Sequence, residues 1–194
     1  MIAGGASTRY EGLPKGLLAV GGRRILDRVV DALAKATGAP PVLIANAPDA
    51  AQWVPGLTVH ADVLPGQGSL GGILTAVETL GPVLCVAWDM PFVSAELLGA
   101  LAPYLDNADA ALPESDSRRG VEPLCAAYGP ACGPAIRAAL ARGDQRAVGF
   151  HPEVRVARLP RTSVLQYGDP GVLFFNINSP QDLLRAEALC RAHG

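Results

Sequence analysis

Two kinds of side chain in this sequence are placed for chemistry on phosphates: cations in a glycine-rich loop, and carboxylates that follow apolar runs. The loop is Ile2-Ala3-Gly4-Gly5-Ala6-Ser7-Thr8-Arg9-Tyr10-Glu11-Gly12-Leu13-Pro14-Lys15. Glycines let backbone N–H groups converge on an anion. Arg9 adds a planar fork for phosphate oxygens and Lys15 a compact point charge. With Arg23 and Arg24 close behind and Glu11 the single acid, this start of the chain is a local positive site. It is not a Walker A motif, because Lys15 is followed by Gly16 rather than by Ser or Thr and the spacing of Gly5 and Gly12 is wrong. The same composition also fits a surface loop of solvated cations. Asp62 and Asp89 stand after the apolar runs Leu57–Ala61 and Val83–Ala87. In an open α/β sheet the ends of the strands are where ligands bind. Carboxylates there, beside a phosphate loop, suit Mg²⁺, which takes a few hard oxygens and fills its shell with water and phosphate. A turn-forming or capping aspartate is the alternative for either residue.

Between the carboxylates lies Gly66-Gln67-Gly68-Ser69-Leu70-Gly71, formally a G-x-G-x-x-G. Pro65 separates it from the preceding strand, whereas a dinucleotide loop grows directly out of its strand. Glycines at the start of a helix, letting a base or ribose approach the backbone, are the better reading.

The elements that must position these residues alternate along the chain. Val42–Ala45, Leu57–Ala61, Val83–Ala87, Ala108–Leu112, Leu124–Tyr128, Val154–Leu159 and Leu173–Phe175 read as strands. Apolar residues recur at helical spacing from Ile25 to Leu33 and from Leu70 to Leu80, and Ala135–Ala141 is rich in helix formers. Ser94 is placed to cap a helix after Pro91, and Ser179-Pro180 with Asp182 forms a Ser-x-x-Asp box before the last one. The pattern predicts a three-layer α/β/α fold with a mostly parallel sheet. Glu114–Val121 and Arg161–Gly171, where polar residues and glycine break the apolar pattern, read as the mobile segments.

A chain of 194 residues, 49% hydrophobic, buries roughly 70% of its unfolded surface, so one domain over residues 1–194 is expected. A net charge of −2 offers no overall field for nucleic acid or an anionic membrane, and no apolar run reaches the length of a span. With no signal-peptide pattern, a cytoplasmic protein is expected. Cys85, Cys125, Cys132 and Cys190 lack zinc-finger spacing and do not suggest a disulfide framework; Cys85 and Cys125 fall in apolar strands as core filler. Arg118-Arg119 could close over a phosphate, or be a solvated loop pair, and Trp53 reads as a packing anchor or a pocket wall.

Taken in order, five segments resemble the bacterial molybdenum cofactor guanylyltransferases, within the wider nucleotidyltransferase group. Ile2-Ala3-Gly4-Gly5 with Arg9, Gly12, Lys15 and Leu17-Leu18 is similar to the family's nucleotide loop, and Gly68-Ser69-Leu70-Gly71-Gly72-Ile73 to its Gly-Pro-Leu-x-Gly-Ile segment. Asp89-Met90-Pro91-Phe92 is similar to its metal-binding turn. Glu122-Pro123-Leu124-Cys125-Ala126-Ala127-Tyr128 and Asn176-Ile177-Asn178-Ser179-Pro180 are similar to its pterin-side strand and Asn-x-Asn-Thr-Pro turn.

The resemblance implies a Rossmann-like nucleotidyltransferase fold, with the N-terminal half binding nucleotide and the C-terminal half the acceptor. It implies transfer of GMP from MgGTP to molybdopterin, releasing pyrophosphate, with molybdoenzyme maturation proteins as further partners. Carried over by motif, Ile2, Ala3, Gly4, Gly5, Lys15, Asn46, Asp62, Gly68, Leu70 and Gly71 would meet the nucleotide. Lys15, Arg9 and Asp89 would be catalytic, with Asp89 on the metal, and Arg146, Asn176 and Asn178 would face the acceptor. Such a reaction aligns two polyanions and compensates charge more than it needs an acid or base. CMP transfer to molybdopterin, nucleotide transfer to a sugar phosphate, and a non-catalytic adaptor are the competing readings; Ala3-Gly4-Gly5 and Gly68–Gly72 favour GTP over CTP. Three departures from the family pattern stand out. Met1 immediately precedes Ile2, so either translation starts upstream or the first strand is truncated; Tyr10 and Pro14 replace the usual methionine and aspartate; and Trp88 sets bulk beside Asp89.

Overall fold

Short β-branched and leucine runs can hide both faces only inside a covered sheet, and that is where a computed structural model of the chain, describing residues 1–3, 9–10 and 13–193, places them. The strands of the main sheet are β1 (Ile2–Ala3), β2 (Leu43–Ala45), β3 (Val59–His60), β4 (Val83–Val86), β5 (Ala110–Pro113), β6 (Cys125–Tyr128) and β7 (Val156–Leu159). β1 pairs in parallel with β2, and β2 with β3. A parallel bridge from Ile2 to Ala87 joins β1 to the end of β4. β6 lies antiparallel between β4 and β5, and β7 pairs in parallel with β5. The spatial order is therefore β3-β2-β1-β4-β6-β5-β7, mostly parallel with β6 reversed. Short as it is, β1 is bonded on both sides: Ile44 N–H donates to the Met1 carbonyl and Trp88 N–H to that of Ile2, at 2.9 and 3.1 Å.

Side-chain alternation along the strands divides the core in two. Ala3, Leu43, Ala45, Val86 and Cys125 face a layer that includes α1 (Ile25–Thr37) and α3 (Ala95–Leu101). Ile2, Ile44, Cys85, Ala126 and Leu112 face α2 (Gly68–Leu80) and α4 (Cys132–Ala141) on the other side. The last helix, α5 (Pro180–His193), begins on the expected box: Asp182 N–H donates to Ser179 Oγ at 3.2 Å, and Ser179 N–H to Asp182 Oδ2 at 2.9 Å. Ser94 Oγ likewise accepts from Leu97 N–H at 3.1 Å at the start of α3.

One strand expectation needs correction. Leu173–Phe175 is not a strand: Asp169 accepts from Gly171 N–H at 2.8 Å and Pro170 opens a single helical turn over Pro170–Leu173, so local capping overrides the apolar triplet. Both polar segments carry local structure. Glu114 bridges Val121 and Ser115 N–H donates to Gly120 O at 3.1 Å, making residues 114–121 a hairpin tip, while Arg161–Val164 is a helical turn whose Arg161 pairs with Asp116. Among the described residues no helix is long and apolar enough to cross a membrane.

Candidate active site

Four adjacent parallel strand ends bring the expected residues to one edge of the sheet. Asp62 lies just past β3, Asn46 just past β2 and Asp89 just past β4, with the end of β1 between Asn46 and Asp89. Because β6 runs backwards, its start is at the same edge, and Glu122 and the 114–121 hairpin tip join the others. This is the crevice at which open α/β sheets take ligands.

Asp89 is at the centre of this edge. A cleft of about 240 Å³ is lined by Ile2, Trp88, Asp89, Arg119, Glu122, Asn176 and Asn178 among others. The Asn-Ile-Asn segment is held there by Ile177, which is fully buried and whose N–H donates to the Asp89 carbonyl at 3.1 Å. Asn176 and Asn178 flank this peg in the chain, and both line the cleft. Lys15, only 3% exposed, donates from Nζ to Asn178 Oδ1 at 2.9 Å, across 163 residues of chain. Asn178 is fixed in turn by its own N–H, which reaches Asp182 Oδ2 at 3.1 Å. Asp182 is held below the ordinary carboxylate range chiefly by the Ser179 hydroxyl, with the Asn178 and Ser179 N–H groups adding to it. Burial pushes the Asp89 carboxyl upward, and the nearby Lys15 ammonium draws it partly back. A second cation or metal beside Asp89 would stabilise its charged form further.

The packing behind Lys15 is equally specific. A Cβ on Gly16 would come within 2.5 Å of Trp88 Cε3, so only glycine lets the Lys15 turn lie on the indole. Trp88 stacks on Trp53 with ring centroids 4.9 Å apart, and Trp53 Nε1 donates to Asp49 at 3.2 Å. The bulk of Trp88 is thus a buried platform under Lys15, and Trp53 is a packing anchor.

Asn46 and Asp62 are brought together as a reciprocal pair: Asn46 Nδ2 donates to Asp62 Oδ2 at 2.7 Å, and Asp62 N–H to Asn46 Oδ1 at 2.8 Å. Thr75, fully buried on α2 and overlooked in the sequence, lies behind them: its hydroxyl donates to Gly71 O at 2.8 Å, stands 3.4 Å from Asp62 Oδ1 and accepts from Val63 N–H at 3.0 Å. Its signal was a hydroxyl within the apolar stripe of α2.

The glycines of α2 divide by role. Gly68 has φ of 59° and open space where a Cβ would be. At Gly71 a Cβ would meet Leu64 O at 3.2 Å, so the close approach there is to the chain's own backbone. Leu70 is fully buried, which leaves its main chain, in the first turn of the helix, to meet a ligand. Ile2 and Ala3 are buried in β1. Gly4 and Gly5 lie outside the described residues, and of Arg9 only the backbone, paired with Pro14, is described.

Of the residues expected to face the acceptor, Asn176 lines the cleft with its Nδ2 donating to Phe174 O at 2.9 Å. Arg146 is not on the Asp89 cleft. It is bidentate to Asp144, at 2.9 and 2.6 Å, in an open groove formed with Arg119, Arg142, Gly143 and Gln145. Cys85 and Cys125 are buried core thiols: burial pushes Cys85 up to about 12 and Cys125 higher still.

Residues 1–155 match the family model of the MobA-like NTP transferase domain. A molybdenum cofactor guanylyltransferase of Desulfosudis oleivorans is 30% identical over 196 residues, covering 99% of this chain and 95% of that protein. The molybdopterin-guanine dinucleotide biosynthesis protein A of Archaeoglobus fulgidus superposes with a TM-score of 0.82 at 26% identity, over 98% of this chain and 97% of that one. A 4-diphosphocytidyl-2C-methyl-D-erythritol synthase of Anaerococcus prevotii, 15% identical with a TM-score of 0.70 over 98% of this chain and 93% of that one, shares the fold.

Proposed function

The chain belongs to the MobA-like NTP transferase family, and from that premise we propose that it transfers GMP from GTP to molybdopterin, releasing pyrophosphate and handing the dinucleotide to molybdoenzyme maturation proteins. The observation that carries the reading is the Lys15–Asn178 hydrogen bond beside Asp89, which joins the nucleotide loop to the acceptor-side Asn-Ile-Asn turn at one cleft. Two substrates entering from opposite halves of the chain would meet there.

The acceptor's terminal phosphate oxygen attacks the α-phosphorus of GTP. The new P–O bond forms as the bond from that phosphorus to the bridging oxygen breaks, and pyrophosphate leaves with the electron pair. The chain's part is alignment and charge compensation. Lys15 holds nucleotide phosphates, the Asn46–Asp62 pair and the open edge at Gly68 meet the nucleoside, and Asn176 and Asn178 orient the acceptor. Among the described residues no three His, Cys, Asp or Glu converge as a metal cage, but Asp89 and Glu122 present hard oxygens to the cleft. That donor set fits Mg²⁺ arriving with phosphates, and the burial of Asp89 fits a carboxylate that meets a cation. When bound, Mg²⁺ would neutralise developing charge on the phosphates.

A ligand that binds only the native state raises Tm according to its affinity, so the nucleotide preference can be read directly. With Mg²⁺ and equal concentrations, GTP is expected to raise Tm more than CTP, UTP or ATP. Equal shifts for all four would overturn the guanine assignment.

A further inference from the structure

Two polyanions meeting in one cleft require more positive charge than Lys15 supplies, and the described arginines are mostly neutralised. Near the cleft, Arg142 is paired with Glu153 at 2.5 Å, Arg146 with Asp144 at 2.6 Å and Arg161 with Asp116 at 3.1 Å. Arg119 has no acid partner among the described residues and is exposed. It is also common to both concavities, lining the Asp89–Asn178 cleft and the Arg142–Arg146 groove.

Its backbone is well held. Ser117-Arg118-Arg119-Gly120 closes a turn in which Gly120 N–H donates to Ser117 O at 2.8 Å, and Gly120 takes φ of 69°, which glycine tolerates. Ser115 Oγ donates to Glu122 Oε1 at 2.7 Å and Ser117 Oγ to Val121 O at 3.1 Å, tying the tip to the start of β6. The Asp116–Arg161 pair ties its other side. A guanidinium on a braced turn loses less freedom on binding than one on a loose loop.

Resting on the transfer reaction above, we propose that Arg119 is a further catalytic residue, whose planar fork spans the α-phosphate of the nucleotide and the terminal phosphate of the acceptor. No bond is made to Arg119. As the acceptor oxygen bonds to the α-phosphorus and the bridging P–O bond breaks, the fork holds oxygens of both phosphates and offsets the charge gathering between them. Its place between cleft and groove also keeps the two anions from repelling each other before reaction.

The test compares R119A, R119K and R118A; Arg118 is its turn neighbour and lines neither concavity. With GTP and molybdopterin, R119A is expected to lose roughly tenfold to a hundredfold in kcat, with folding midpoint unchanged and R118A like the parent. Millimolar guanidinium should restore part of the R119A rate, and R119K should recover little, because an ammonium cannot span two phosphates. R119A turning over like R118A, or an R119A defect that guanidinium leaves untouched and R119K repairs, would overturn the proposal. If the parent uses another nucleotide or acceptor, the guanylyl reading fails and the same comparison is made with that pair. If it turns over none, the transfer reading fails and calorimetric binding of inorganic pyrophosphate decides: a loss of about tenfold in R119A alone supports a phosphate contact, and equal binding removes it.

Discussion

At the scale of single residues, the account turns on Asp89, Lys15 and Asn178. Asp89→Asn keeps the shape of the side chain and removes the charge that burial makes costly, so Tm should hold or rise while turnover falls about a hundredfold. Activity within a factor of about two of the parent would make Asp89 a turn residue. From sequence position alone Asn178 belongs with the acceptor; its hydrogen bond to Lys15 changes that expectation. Loss of a hydrogen bond to a charged group is worth about 1.5–3 kcal/mol, so Asn178→Ala should weaken GTP by roughly tenfold as well as the acceptor. Asn176→Ala, which removes only a neutral donor, should raise the acceptor KM about two- to tenfold and spare GTP. Titration of both variants with both substrates checks this, and equal GTP affinity in the two would contradict it. Residue types and order made Lys15, Asp89, Asn176 and Asn178 legible. Arg119 and Glu122 were not ranked with them, because a pair of arginines in a polar loop looks solvated until a hairpin closes beneath it.

At the scale of elements, apolar spacing located α1 and α2, helix-forming composition located α4, and capping residues marked the starts of α3 and α5. Strand ends were shorter in the structure than in the sequence, as with Leu57–Ala61, of which Val59–His60 alone pairs. Elsewhere burial extends past the ladder, as at Ala87 beyond the end of β4. Antiparallel β6 was also hidden, since its residues read the same in either direction, and only the lack of a helix between β5 and β6 distinguishes a hairpin from a crossover. Helix–strand spacing provides the test at this scale. A Cβ on Gly72 of α2 would meet Ile2 Cγ2 at 2.6 Å, whereas one on Gly99 of α3 meets nothing within 4 Å. Gly72→Ala should therefore cost about 1–3 kcal/mol and lower Tm by several degrees, against the usual helix preference for alanine. Gly99→Ala should stabilise by up to about 1 kcal/mol. Thermal unfolding of the two proteins checks the opposite signs, and a stabilised Gly72→Ala would mean that β1 is not packed under α2 as described.

At the scale of the molecule, one sheet edge gathers residues from both ends of the chain, with Lys15 near the start and Asn178 near the last helix. Topology explains why. β1 lies between β2 and β4, so its C-terminal end is flanked by Asn46 and Asp62 on one side and by Asp89 on the other. The order of motifs along the sequence carried this arrangement; the reversed direction of β6 and the cleft beside it came only with the structure. A molecule built this way should couple two substrates into one turnover, and the most direct measurement is pyrophosphate release by the purified chain with GTP, molybdopterin and Mg²⁺, followed by the mass of the pterin product. The account predicts one pyrophosphate for each molybdopterin converted to its guanine dinucleotide, none when either substrate is left out, and at least about tenfold less with CTP. Binding of both substrates without pyrophosphate, as an adaptor would show, or faster turnover with CTP, would contradict it.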